Sequence, residues 1–186
     1  MPEIKFKPKI KKIDAARRQL DTSIELWFHY GDIVSIHTLA CSAYQIVHDI
    51  NEHRKGPELL FDSLVFKDEY RTLVKSYLKK AYNFFKHAEK DPDPEGVIDF
   101  NSLGTEGFIM FANIGLEYLG IKSNSIRSAF IIYQCLHNPK YFKKNGLQSI
   151  LKEIPISQRR DILNLDRSEF FESYISLQKS AGLYRP

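Results

Sequence analysis

In the stretch "IVSIHTLACSAYQIVHDINEH", residues 33–53, apolar side chains recur at Ile33, Ile36, Ala40, Ala43, Val47 and Ile50, in alternating steps of three and four. At about 100° per residue these positions fall on one narrow stripe of an α-helix, whereas a strand, with its period of two, would scatter them over both faces. A helix with such a stripe must bury it against another element, so the feature predicts helices packed on helices. The preceding residues repeat the pattern: Ile13, Ala16, Leu20, Ile24, Trp27 and Phe28 define a first amphipathic helix. Gly31 and Asp32 punctuate the pair, with Asp32 suited to cap the second helix.

Further along, Gly56-Pro57 breaks the chain, and the apolar piece from Leu59 to Phe66 is too short to classify by period. A third helix is expected from about Asp68 to His87, with Tyr70, Leu73, Val74, Tyr77, Ala81, Phe84, Phe85 and Ala88 on its buried side. "DPDPEG" stops it, because proline lacks the amide hydrogen and its ring clashes with the preceding turn. "VIDFNS" reads as a short extended piece, and residues from Thr105 to Leu119, apolar nearly all round, read as a central helix ended by Gly120. Another helix spans about Ser125 to His137, and Asn138-Pro139 has the form of a cap followed by a first helical position. Short helices broken at Asn145-Gly146 and Pro155 follow, and a final helix opens at the capping-box pattern Asp166-Arg-Ser-Glu169 and buries Phe170, Phe171, Tyr174 and Ile175. No period of 20 to 50 residues repeats. The fold class is all-α: a bundle of long helices in the first two thirds, with shorter ones packed on as a C-terminal extension over residues 121–186.

With 186 residues the chain is long enough for one well-buried core, and a single domain is expected. The formal charge of +4 is too small to mark a nucleic-acid binder by itself, but Lys5, Lys7, Lys9, Lys11, Lys12, Arg17 and Arg18 crowd the N-terminus. Residues 1–12 thus read as a basic arm, either a solvated tail or a contact for phosphate. Cys41 and Cys135 sit inside apolar helical patterns and read as small buried hydrophobes. The opening residues lack the apolar stretch of a signal peptide, and no stretch reaches the roughly 18 apolar residues of a membrane span, so a cytoplasmic location off the membrane is expected.

The phosphate loops, nucleophile elbows, zinc helices and dinucleotide fingerprints of common enzymes are missing from the sequence, and no cofactor is expected. What remains is two polar stripes. His37, Cys41, Tyr44 and His48 share one sector of the second helix, about a quarter turn from its apolar line. Histidine, thiol and phenol on one face suit metal binding or proton transfer, but His37 and His48 are about 16 Å apart along the axis, too far to share one ion. The plainer reading is a set of interhelical hydrogen-bonding residues at the edge of the core. Asp49 and His53, with Glu52 between them, form a further ligand-type pair. The second stripe is Ser76, Lys80, Asn83 and His87 on the third helix. Lys80 could meet a phosphate, Asn83 orient a group and His87 transfer a proton, with Lys79 and Lys86 adding charge beside them. Alternatively, His87 and Lys86 are cations meeting a helix C-terminus, where the dipole favours them.

The run "KIDAARRQLDTSIELWFHYGDIVSIHTLACSAYQIVHDI" resembles the opening helical pair of the HEPN superfamily, small all-helical domains that often pair as dimers. Its nuclease members carry, on a later helix, an arginine, commonly an asparagine next, then three residues and a histidine. "YNFFKH" matches this frame at Asn83 and His87, while Tyr82 stands in the place of the arginine. The resemblance covers residues 10–120 and implies a HEPN-like core of long antiparallel helices, a homodimer, and RNA, a nucleotide or a protein as partner. It implies binding before cleavage, because neither Tyr82 nor a lysine reaching from another angle reproduces the planar, permanently charged arginine fork. A metal-independent ribonuclease using His87 with Lys80 is the alternative, and a bundle that binds a metal or small molecule through His37, Tyr44 and His48 is the third reading. The chain is also similar to a group of bacterial proteins of this length, which points to a prokaryotic source.

Overall fold

A computed structural model describes residues 8–59, 76, 79–87, 89, 92–142, 151 and 154–186. Among these residues every regular element is helical and no strand occurs. Helix α1 spans Lys12–Phe28 and α2 spans Ile33–His53. A helical segment over 79–86 is α3, and α4 spans Leu103–Tyr118. Helix α5 spans Ser125–His137, α6 Ile156–Leu163 and α7 Arg167–Ser180, with one 3-10 turn at Pro139–Tyr141 after α5.

The first two helices form a hairpin because the chain between them is punctuated as the sequence suggests. Tyr30 adopts φ of 55°, Gly31 follows, and Asp32 accepts a 2.7 Å bond from the Ser35 amide, satisfying one of the free donors at the start of α2. Helix α2 then packs on α1 at one side and α4 at another. Ile36, Ala40, Ala43 and Val47 are buried as the apolar stripe requires, but Ile33, at the exposed first turn, is 54% accessible. The neighbouring polar stripe is also buried, with His37, Cys41, Tyr44 and His48 all under 7% exposed. Helix α4 covers it at His37, which bonds Thr105, and at Tyr44, whose ring meets Phe108, while His48 borders a recess at the far end of α2.

Close approach of α4 to α2 depends on Gly115. A Cβ there would collide with Val47 Cγ1 and come within 2.9 Å of Leu59 Cδ1. On the other side of α1, rings join the C-terminal helices to the hairpin: Trp27 meets Phe130 edge-on at 5.2 Å, and Phe28 stacks on Phe171 at 4.6 Å. Each fully buried aliphatic or aromatic side chain of this kind contributes about 1.5–3 kcal/mol, so the ring cluster is the main tie between α1, α5 and α7. Helix α7 opens with the full capping box, Asp166 accepting from the Ser168 and Glu169 amides and Glu169 accepting from the Asp166 amide.

Several expectations change. Asn138 and Pro139 take the cap and first positions expected, but of a three-residue 3-10 turn, and the Asn138 side chain makes no cap bond, its Nδ2 donating to Gln134 Oε1 at 2.8 Å. Residues 97–101 form no strand and lie in a loop before α4. Arg17 and Arg18 lie in α1 as the first-helix pattern expects, whereas α1 already begins at Lys12, the last residue assigned to the arm; Arg17 lies 3.8 Å from Asp14 while Arg18 is exposed. Of the third helix, 79–86 is helical, whereas 68–75, 77 and 78 lie outside the described residues, as do Asn145-Gly146 and most of the basic arm.

Candidate functional site

Aromatic packing decides where α3 sits. Phe85 on α3 meets the His37 ring edge-on at 5.9 Å and the Phe100 ring at 5.4 Å, which seats α3 across α2 and the loop before α4. His37 is thereby enclosed by three phenylalanine rings, with Phe100 at 4.9 Å and Phe108 at 5.7 Å. Its Nδ1 lies 2.8 Å from Thr105 Oγ1 and its Nε2 3.4 Å from Cys41 Sγ. A neutral ring satisfies both, since hydroxyl and thiol can each donate or accept. Burial disfavours the charged form and lowers the His37 pKa to about 4, so the ring is neutral near pH 7. Burial likewise pushes the Cys41 thiol far up, so the pair is not a thiolate–imidazolium nucleophile.

Beside this buried group the surface opens into a recess of about 240 Å³. His37 and Phe108 form part of its wall, Phe100, Asn101 and Asp99 supply the loop side, and Lys80 stands on the α3 side. The two polar stripes thus meet here, one giving a neutral imidazole and the other an exposed cation. Its size is below the about 300–1,000 Å³ of sites that enclose a small molecule. It suits one flat ring or sugar-sized group, with the rest of a longer ligand lying across the α3 surface.

Asn83 and His87 do not line the recess. His87 is the first residue beyond α3, where its amide donates to the Asn83 carbonyl at 2.9 Å. Its Nδ1 lies 2.9 Å from Glu89 Oε1, so the imidazole is both at a helix C-terminus and paired with a carboxylate. Where the HEPN motif has arginine, the Tyr82 hydroxyl accepts a 3.0 Å bond from Lys86 Nζ, which also lies 5.1 Å from the Tyr82 ring centre. Lys86, one turn on, is thus a cation held against Tyr82. Lys79 is half-buried on the same helix.

His37 and His48 belong to separate surroundings, as their axial separation requires. His48 Nδ1 is 3.4 Å from Asp49 Oδ1, and one ligand atom from each of His48, Asp49 and Glu52 falls within 4.8 Å of the others. The ligand-type group on this turn thus includes His48 in place of His53. Both carboxylates are exposed, and Gln45 already donates to Asp49 at 2.6 Å. Phe100, Thr105 and Glu89 carry no helical periodicity that marks them as site residues; the two-residue spacing of His87 and Glu89 is a local signal.

No protein-family model, curated protein or solved structure matches the chain.

Proposed function

We propose that the chain is a non-catalytic HEPN-like module that binds RNA or a nucleotide through the recess between α2, α3 and α4. The observation that carries this reading is the meeting of Lys80 with a ring-lined recess, whose loop side also holds the exposed Asp99 carboxylate. A lysine at the mouth attracts a phosphate, and aromatic walls accept a base by stacking. Binding is favoured over cleavage because both ring nitrogens of the imidazole in the recess already face partners, Thr105 Oγ1 and Cys41 Sγ. In this reading Lys79, Lys86 and Arg18 extend the contact to flanking phosphates as exposed or half-buried cations, and two copies pair as the resemblance implies.

The test is fluorescence anisotropy of a labelled single-stranded RNA as a function of salt. Lys80→Ala is expected to weaken binding several-fold and to reduce the log–log salt slope by about 0.7, the value for one lost single-strand phosphate contact. Unchanged affinity and slope in that variant would overturn the assignment.

One observation favours a ribonuclease as the second reading. The His87–Glu89 pair holds an imidazole as a general base is held, and Lys86 brings charge to Tyr82. On that reading RNA is degraded in EDTA, and His87→Ala slows the reaction by about 10²–10⁴.

A further inference from the structure

Among the described residues, two charged side chains line the recess between α2, α3 and α4, and they have opposite sign. Lys80 stands on α3 and Asp99 on the loop that leads into α4, both exposed. Among the described residues they form no ion pair with one another. The place of Asp99 is fixed by its neighbour. The Phe100 ring meets His37 at 4.9 Å and Phe85 at 5.4 Å, which pins the loop against both helices and holds Asp99, one residue earlier, at the rim. Asp93, earlier in the same loop, accepts from the Glu95 amide as a turn residue does, but Asp99 has no such part in starting α4, whose cap position is Ser102.

A carboxylate beside a phosphate-binding lysine is out of place if the ligand brings only negative charge, since it repels the anion that the lysine attracts. It is in place if the ligand also brings hydrogen-bond donors. The walls narrow the choice. His37 offers the recess only its ring, because its Nδ1 faces Thr105 Oγ1 and its Nε2 faces Cys41 Sγ, and Phe100 and Phe108 add further ring surface. A flat body with an anion at one end and donors along one edge describes a nucleotide, and the bases differ in that edge. Guanine carries two adjacent donors, N1–H and the 2-amino group, spaced to meet the two oxygens of one carboxylate. Adenine and cytosine set an acceptor ring nitrogen beside the amino group, and uracil flanks its single N3–H with two carbonyls. Each of these three brings an acceptor against a carboxylate that only accepts.

We infer that the recess selects guanine, as a free nucleotide or as a guanosine in single-stranded RNA, with Asp99 accepting from N1–H and the 2-amino group while Lys80 meets the phosphate. This rests on the nucleotide-binding reading of the recess and adds the identity of the base. The bond pair is bidentate and charge-assisted, and the other bases are rejected by the same group that attracts guanine.

The test is calorimetric titration of the full chain with guanosine, inosine and adenosine 5′-monophosphates. The guanine nucleotide is expected to bind about tenfold more tightly than the adenine nucleotide, with inosine, which keeps N1–H but lacks the 2-amino group, between them. Asp99→Asn exchanges one acceptor for a donor and is expected to erase the difference, weakening the guanine nucleotide and strengthening the adenine one. Fluorescence anisotropy of labelled octauridylate, with and without one central guanosine, separates the two sources. A guanine preference in the mononucleotides alone marks a free nucleotide as the occupant, and one in the octamers marks the strand. Equal affinity for guanine and adenine nucleotides together with equal affinity for the two octamers would overturn the choice of base, as would a guanine preference kept in Asp99→Asn, and binding that still depends on Lys80 would then leave the recess a nucleotide site. Failure of every nucleotide and octamer to bind would remove both readings.

Discussion

His37 shows how one residue can change meaning with its surroundings. On a helical wheel it is a polar residue beside an apolar line; in the fold it is a neutral ring enclosed by Phe85, Phe100 and Phe108 and bonded to Thr105. Its pKa, lowered from 6.5 to about 4 by burial, ties it to stability. Between those two values the unfolded chain binds a proton that the folded chain refuses, so the contribution is full above about pH 6.5 and is lost as pH falls toward 4. The limit is on the order of 3 kcal/mol. Urea denaturation at pH 7 and pH 5 should show a smaller loss for His37→Leu than for the parent chain; equal losses would remove His37 from the account. His29 acts with the opposite sign. Both its ring nitrogens face acceptors, the Glu25 carbonyl and the Glu172 carboxylate, each at 2.8 Å, and these bonds raise its pKa. Its share is full below about pH 6.5 and fades as pH rises through the raised value, and because both versions of the protein keep it, the comparison at His37 is unaffected.

At the scale of elements, α4 is where a glycine is structural in one place and idle in another. Gly115→Ala drives a methyl group into Val47 and Leu59 and is expected to cost about 1–3 kcal/mol. At Gly107, on the same helix, an added methyl group would meet nothing within 4 Å, so Gly107→Ala is expected to stabilise by about 0.4–1 kcal/mol through a less flexible unfolded chain. Thermal unfolding of the two variants, shifted in opposite directions, checks the pair. The hairpin, the capping box and α5 are legible in the sequence because each is written in local chemistry: a period of three and four, Asp32 before Ile33, Asp166 before Glu169. Burial of the His37–His48 stripe is not legible, because it depends on α4, which arrives some fifty residues later and is apolar nearly all round. The cap of α5 is local, but its second bond is not. Asn124 accepts from the Arg127 amide as a cap, but its Nδ2 also donates to Asp21 of α1 at 2.9 Å, a partner 103 residues away. The candidate recess is half legible: Lys80 and His37 stand on stripes that the periodicity marks, but Phe100 and Asn101 come from a loop with no period.

For the whole molecule, the buried residues of α1, α2, α4, α5 and α7 make one continuous hydrophobic cluster, crossed by the Asp21–Arg127 ion pair. No helix is long and apolar enough to cross a membrane among the described residues. The two cysteines sit at separate stations of that cluster, Cys41 in α2 beside His37 and Cys135 in α5, both free and buried. Burial raises both thiols, Cys135 to about 11, so neither offers a thiolate to a reagent while the fold is closed. Each becomes reactive only when its own part of the chain opens. The native protein therefore carries two internal clocks, and because one cluster joins their surroundings, a chromogenic disulfide reagent should modify both at the same rate. A faster Cys135 would mean that α5 and the helices after it detach while the hairpin stays shut, dividing into two a molecule that its packing makes one.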